Sequence, residues 1–146
     1  MTTDREGEEL FGGYTLPEIC FDYLDMMREL CEKNECELIL IKAPTNHWKF
    51  WWYDEWDVQI SDYAEKNGLD YVNFIPLCGD IGIDWSADTY DEGMHLNVYG
   101  AEKLTDYFGK LLSEKYGLSD RRGESELSET WDDRLEKYYE RKNTGK

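Results

Sequence analysis

The segment DEGMHLNVYG, residues 91–100, joins an irregular and aromatic part of the chain to its most regular apolar pattern. After it, an apolar residue recurs about once per helical turn, at Ala101, Leu104, Phe108 and Leu111. This spacing predicts an amphipathic helix that Asn97 caps and that ends at Gly117. A functional group in the segment is therefore expected to lie in a loop that a rigid element holds in place.

His95 is the candidate catalytic residue of this segment, and His47 is the only other histidine in the chain. An imidazole accepts and releases protons near neutral pH, which suits it to general acid–base catalysis. Asp91 and Glu92 lie just upstream, so that in a turn one of them is expected to accept a hydrogen bond from Nδ1 of the ring. Such a pair is the base and the orienting acid of a catalytic triad.

The chain before this segment alternates between helical and strand-like patterns. We expect a helix over residues 15–34 with Thr15 as its cap, a strand at 37–42, a helix at 54–67 and a strand at 69–75. The second helix is expected to end at Gly68, and its apolar face carries Trp56, Ile60, Tyr63 and Ala64. This order is typical of an α/β domain with a parallel sheet. After residue 118 a further apolar stripe predicts a last helix that packs on the same domain.

Asn46 follows the first predicted strand, at the edge of the sheet where ligands bind in open α/β folds. A turn-capping role is the alternative interpretation of this residue. The aromatic cluster that comes next has two interpretations as well. It forms either a sugar-stacking surface or a packed flap over the sheet, and its tryptophans are Trp48, Trp51, Trp52 and Trp56.

The pattern of an acid, then His-Leu-Asn, then Gly-Ala and a helix, as in residues 91–104, resembles the last motif of SGNH (GDSL-type) hydrolases and related polysaccharide O-acyltransferases. Weaker similarity extends to KAPTN at residues 42–46 and DEWD at residues 54–57. The family usually places an aspartate three residues before the histidine. That position is Glu92 here, with Asp91 one residue further back, so either carboxylate remains a candidate.

The resemblance implies a partial, parallel-sheet, three-layer domain of the flavodoxin-like SGNH type at residues 15–118, corresponding to the C-terminal half of such a domain. A flexible acidic leader at residues 1–14 would precede it, and a C-terminal helical extension at residues 119–146 would follow. It further implies esterase or acyltransferase chemistry on O-acylated carbohydrate or another small ester, with Asn46 as an oxyanion donor. The family places such enzymes outside the cytoplasm in a full-length parent.

The nucleophile that this chemistry needs has no motif in the sequence. Ser86 is the serine closest to His95 along the chain, but it lacks the strand-to-helix pattern of an activated serine. Gly79 and Asp80 are followed by Ile81 where a Gly-Asp-Ser motif needs serine. Only two strands are predicted where a family domain has about five, and a two-stranded sheet is marginal alone.

Something is therefore expected to complete the sheet: a second copy of the chain, a missing N-terminal half, or a strand that the sequence pattern hides. The domain alone would then be incomplete or inactive as an enzyme.

The alternative function is a non-catalytic carbohydrate-binding or assembly module that uses the aromatic segment from Trp48 to Trp56. A metal site is a third hypothesis, from oxygen ligands at Asp84, Asp88, Asp91 and Glu92 together with His95. Of these hypotheses the metal site is the one we do not adopt, and we predict that the chain binds neither a metal ion nor a cofactor.

Composition excludes some partners. The formal charge of −17, from 33 acidic and 16 basic side chains, repels nucleic acid and anionic lipid surfaces. No apolar run is long enough for a membrane span, and the polar N-terminus does not read as a signal peptide.

The cysteines show no metal-ligand spacing, which predicts free, buried thiols at Cys20, Cys31, Cys36 and Cys78. A disulfide between two of them is the alternative.

Overall fold

The structure is a computed structural model that describes residues 13–46 and 51–144. Its strands are β1 (Ile39–Lys42) and β2 (Asp70–Asn73). Its helices are α1 (Glu18–Lys33), α2 (Tyr53–Asn67), α3 (Cys78–Ile81), α4 (Val98–Tyr116) and α5 (Ser125–Thr144). The described chain is therefore mixed α/β and mostly helical.

The two strands form a parallel sheet, as the alternating pattern predicts. Their register runs from Ile39 opposite Asp70 to Lys42 opposite Asn73. The amide of Phe74 donates to the carbonyl of Lys42 at 3.0 Å, which extends the pairing by one step. Helix α2 makes the crossover between the strands, as parallel pairing requires.

The core lies between one face of this sheet and helices α1 and α2. Leu40 of β1 is buried with Ile60, Tyr63 and Ala64 of α2, the last three lying on the predicted apolar face. Phe21 of α1 contacts Tyr63 with ring centroids 5.7 Å apart.

Helix α4 contacts the sheet on the opposite face. Asp70 forms an ion pair with Lys115 at 2.5 Å and accepts a hydrogen bond from the hydroxyl of Tyr116. Phe74, which is fully buried, lies edge-on to Tyr107 and Phe108. Because α4 is fixed to β2 in this way, the loop that enters α4 has a defined position relative to the sheet.

Most helix ends follow the sequence prediction. Asn97 caps α4 by accepting hydrogen bonds from the amides of Tyr99 and Gly100, and Gly68 and Gly117 end α2 and α4 in the left-handed conformation. Thr15 as the cap of α1 was wrong. The helix begins at Glu18 with Pro17 as its N-cap residue, because Pro17 is extended, with ψ at 141°.

All four cysteines are free, as predicted, but they differ in burial. Cys78 is buried, and burial raises the pKa of its thiol to about 11. Cys20 and Cys31 are half-buried. Cys36 is exposed, which corrects the prediction of a buried thiol, because β1 begins only at Ile39 and Cys36 lies between it and the turn at Asn34 and Glu35.

Helix α5 reaches the rest of the domain near its C-terminal end. Lys142 forms an ion pair with Glu102 of α4 at 2.6 Å, and the hydroxyl of Tyr138 donates to the same carboxylate at 2.8 Å. The apolar stripe that was expected to be covered is exposed instead, with Trp131 at 60% and Leu135 at 50%. Of the predicted leader, only Gly13 and Tyr14 fall within the described residues. None of the helices described here is long and apolar enough to cross a membrane.

Candidate functional site

The carboxylate of Asp91 holds His95 at two points. Its Oδ1 accepts a hydrogen bond from the backbone amide of His95 at 2.7 Å, and its Oδ2 lies in close hydrogen-bond contact with Nδ1 of the ring. When Nδ1 donates this bond, the neutral ring carries its free lone pair on Nε2. The His95 side chain is 64% exposed, so this basic nitrogen belongs to a ring open to solvent.

The charge of Asp91 is stabilised by the same contacts. Hydrogen bonding from the His95 ring, and next from its backbone amide, lowers the pKa of Asp91 below the usual aspartate value. The group is therefore an anion at neutral pH. An anion on Nδ1 stabilises the imidazolium that forms when Nε2 takes up a proton.

A tight turn brings the two residues together. Glu92 and Gly93 both adopt positive φ, at 59° and 96°, which reverses the chain between Asp91 and His95. The amide of Gly93 donates to the Thr89 hydroxyl at 3.0 Å. Sequence reasoning left Asp91 and Glu92 as equal candidates for the orienting acid, and the structure places Asp91 on Nδ1.

The turn is tied to the carboxyl end of β1. The amide of Asn46 donates to the carbonyl of Gly93 at 2.7 Å, and the hydroxyl of Thr45 donates to the carbonyl of Met94 at 3.0 Å. Thr45 is buried, and it was not among the predicted site residues. The histidine loop and the strand end thus lie side by side, where ligands bind in open α/β sheets.

The side chain of Asn46 lies in this contact. Its amide oxygen is buried and, among the described residues, has no hydrogen-bond partner. Leaving such a group unsatisfied costs about 1–3 kcal/mol, which makes it a candidate for a functional role. The capping alternative therefore has no support among the described residues, because no donor contacts this oxygen.

Tyr90 is a second residue that sequence reasoning missed. Its ring stacks on that of His95, with centroids 5.9 Å apart and planes 9° from parallel. The sequence signal that could have identified Tyr90 is an aromatic residue five positions before the histidine. The stacking and the Asp91 contacts together restrict the imidazole orientation.

The base of the histidine loop is closed by Asp88 and Asn97. Asp88 is only 3% exposed and forms an ion pair with Lys103 of α4 at 2.6 Å. The side-chain amide of Asn97 donates to the carbonyl of Ala87 at 2.7 Å while its oxygen caps α4. The loop is therefore anchored to a long helix.

The acids of the metal hypothesis are already engaged. Asp84 accepts hydrogen bonds from the amide and hydroxyl of Ser86 at 2.9 and 2.6 Å, and Asp88 pairs with Lys103. Over residues 13–46 and 51–144 no group of three or more His, Cys, Asp or Glu side chains is arranged to hold a metal ion.

No described serine is placed as a nucleophile for His95. The hydroxyl of Ser86 donates to Asp84, and no serine hydroxyl in the described part of the chain is hydrogen-bonded to the imidazole. Gly79, Asp80 and Ile81 lie within the four-residue helix α3.

The described tryptophans do not share one flat surface. Trp52 stacks on Tyr14 at 5.3 Å and Trp51 lies edge-on to the same ring at 6.2 Å. Trp56 packs against the core, with the ammonium of Lys42 5.4 Å from its ring centroid. Trp48 and His47 lie outside the described residues.

Comparison of the chain with models of known protein families, with curated proteins and with solved structures gives no significant match.

Proposed function

We propose that His95 and Asp91 are the proton-transferring half of an ester-processing site of the SGNH type. The observation that carries the proposal is the double contact of the Asp91 carboxylate with the amide and Nδ1 of His95. This contact fixes the imidazole ring, places the Asp91 anion on Nδ1 and leaves Nε2 to act as the base. In this proposal the domain is part of a three-layer, flavodoxin-like sheet that further strands complete.

The proposed reaction is acyl transfer from an O-acyl ester. Nε2 of His95 takes the proton of a hydroxyl group while the oxygen of that hydroxyl bonds to the ester carbonyl carbon. The imidazolium, stabilised by Asp91, then gives this proton to the leaving alcohol oxygen as the ester C–O bond breaks. The side-chain NH2 group of Asn46, and not its amide oxygen, is the proposed donor to the ester carbonyl oxygen as negative charge develops there.

The attacking hydroxyl comes from outside the described residues. A serine of another polypeptide segment fills this role in the complete site, and water fills it slowly in the isolated chain. We therefore expect weak hydrolysis of activated esters by this chain alone.

An O-acylated carbohydrate is the proposed substrate class. Trp51 follows Asn46 by five residues, so their Cα atoms are at most about 19 Å apart, within the span of a short oligosaccharide. Indole rings stack on the apolar faces of sugars, and Trp51 and Trp52 are each only partly buried. A sugar-binding module without catalysis uses these same residues. Measurement of both ester hydrolysis and glycan binding distinguishes the two functions.

The experiment measures p-nitrophenyl acetate hydrolysis by the purified chain and by His95→Gln, Asp91→Asn and Ser86→Ala. His47→Gln is the matched control, because it removes the other histidine. General-base catalysis contributes roughly 10²–10⁴-fold, so we expect His95→Gln to lower the rate by about 10-fold or more. Asp91→Asn is expected to lower it in part, and Ser86→Ala and His47→Gln are expected to leave it unchanged.

Two results contradict the proposal. One is a rate that His95→Gln leaves unchanged. The other is equal loss in His47→Gln, which would show unspecific imidazole reactivity. Retained binding of acetylated xylan in His95→Gln, lost in Trp52→Ala, with no hydrolysis by any variant, would instead establish the binding module.

A further inference from the structure

The outer edge of β1 carries backbone groups that no described segment pairs with. Backbone groups of successive strand residues point to alternate edges, and the carbonyl of Lys42 points to β2, where it accepts from Phe74. The N–H and C=O of Ile41 therefore point to the opposite edge. Within the described residues, the sheet contains β1 and β2 alone, so this edge is open. An open edge is a template for pairing with another strand.

Helix α1 presents an apolar flank that the domain does not cover. Four residues at helical spacing, each more than half exposed, form it: Ile19 at 55%, Tyr23 at 61%, Met26 at 62% and Leu30 at 62%. Met27 borders them at 49%. Contiguous exposed apolar surface of this kind marks an interaction site.

This flank lies on the β1 side of the domain. The side of α1 that carries Phe21 and Asp25 contacts Tyr63 of α2. Helix α2 in turn bonds to β2, through Tyr71 to Asp57 at 2.6 Å. Helix α1 therefore lies beyond α2 on the side away from β2, and its apolar flank, which is opposite Phe21 and Asp25, faces outward past the open edge of β1.

The sheet face opposite α1 and α2 is also uncovered next to the open edge of β1. The side chain of Ile41 points away from α1 and α2, since Leu40 points into their core, and it is 51% exposed. Helix α4 contacts this face through the β2 residue Asp70 and through Phe74 just after it. Apolar surface thus borders the open strand edge on both faces of the sheet.

We infer that this edge is the site at which a second copy of the chain binds, with β1 of one copy antiparallel to β1 of the other. A two-fold axis perpendicular to the sheet keeps both α1 helices on the same face, so that their apolar flanks meet above the new strand pair. The Ile41 side chains meet below it. A four-stranded sheet results, and the edge is removed. This interface does not depend on the proposed ester chemistry.

The size of the surface fits a weak dimer. Five aliphatic side chains of about 60–120 Å² and one tyrosine of about 150–250 Å², each about half exposed, present roughly 250–500 Å². Backbone pairing adds to this area, against ~800 Å² per partner in a standard interface. The four residues of the flank include no acid, although the chain carries −17. Asp22 and Glu29 border the flank one turn from Met26. Long-range repulsion remains, so salt is expected to strengthen the dimer by screening.

The test is sedimentation equilibrium of the full chain at low and at moderate salt, with two interface variants and one control. Ile41→Pro removes the outward N–H without removing a bond to β2. Met26→Glu places a charge on the flank of α1. Val58→Glu is the matched control, because Val58 is 57% exposed on α2. Circular dichroism establishes that each variant folds.

We expect a dimer that strengthens with salt, at least a 10-fold weaker dimer for Ile41→Pro and for Met26→Glu, and no change for Val58→Glu. A chain that is monomeric at millimolar concentration overturns the inference, and slow hydrogen exchange of the Ile41 amide in that monomer would show that the chain covers its own edge. A dimer that both Ile41→Pro and Met26→Glu leave intact also overturns it. Should Ile41→Pro fail to fold, Met26→Glu alone decides.

Discussion

The backbone amide of Asn46 donates a hydrogen bond to the carbonyl of Gly93 at 2.7 Å, and this bond joins the end of β1 to the turn that carries His95. The side chain of Asn46 also lies close to the Cα atom of Gly93. A Cβ on Gly93 would lie 2.7 Å from Cβ of Asn46, closer than non-bonded carbons approach.

Gly93→Ala is therefore expected to displace the histidine turn. The substitution meets both the contact with Asn46 and a φ of 96°, so we expect a loss of about 2 kcal/mol or more in the free energy of unfolding. The control is Gly68→Ala, where φ is 65° and no atom lies within 4 Å. Urea denaturation of both variants measures the difference. Equal losses would show that the contact with Asn46 contributes nothing.

Two glycines of α4 give opposite predictions. A Cβ on Gly100 would meet the carbonyl oxygen of Asp88 at 2.5 Å, whereas one on Gly109 would have no neighbour within 4 Å. We expect Gly100→Ala to destabilise the domain by about 2 kcal/mol and Gly109→Ala to stabilise it by about 0.5–1 kcal/mol, since glycine is a poor helix former. Thermal unfolding of both variants checks this, and a stable Gly100→Ala variant would contradict the close approach of Asp88 to the helix.

The ion pair between Asp88 and Lys103 predicts a loss of stability in acid. Hydrogen bonding from Lys103, and next from the amide of Asp84, lowers the pKa of Asp88 in the folded state. A depressed folded pKa means that the stabilisation is fully present above the unfolded value of about 3.9 and disappears as pH falls through the folded value.

The measurement is the difference in unfolding free energy between the chain and Asp88→Asn as a function of pH. We expect about 1–3 kcal/mol at pH 7, constant down to about pH 5 and shrinking below about pH 4. Asp106→Asn, an exposed acid on the same helix, is expected to change little at any pH. A difference for Asp88→Asn that persists unchanged in strong acid would contradict the ion pair as its cause.

Thiol reactivity is expected to separate two cysteines. Cys36 is exposed, whereas Cys78 is buried with a thiol pKa raised to about 11, so little thiolate forms there at pH 8. We expect Cys36→Ser to remove the fastest phase of reaction with Ellman's reagent and Cys78→Ser to remove the slowest. A Cys78 that reacts as fast as Cys36 in the folded chain would contradict its burial.

Features that depend on local sequence could be predicted. The cap at Asn97, the end of α4 at Gly117 and the core face of α2 at Ile60, Tyr63 and Ala64 all follow from residue type and spacing. Thr15 had the right local pattern as well, but the helix begins three residues later, at Glu18, because Pro17 is extended. The pattern identified the helix but not its first residue.

Features that depend on distant contacts could not be predicted. Asp91 rather than Glu92 meets Nδ1 because Glu92 and Gly93 both adopt positive φ, and the contact of Gly93 with Asn46 crosses more than forty residues. The exposure of Trp131 in α5 was missed for the same reason, because helical periodicity identifies an apolar stripe but not whether a surface exists to cover it.

The antiparallel bridge between Thr89 and Leu96, together with Asn97, closes the histidine loop at its stem. Residues 90–95 therefore form a loop whose two ends are fixed by the scaffold, while the side chain of Asp91 holds the turn between them through the amide of His95. Provided that Asp91 and Gly93 are retained, substitutions at the other positions of this loop are expected to change its chemistry and to leave the sheet and α4 in place.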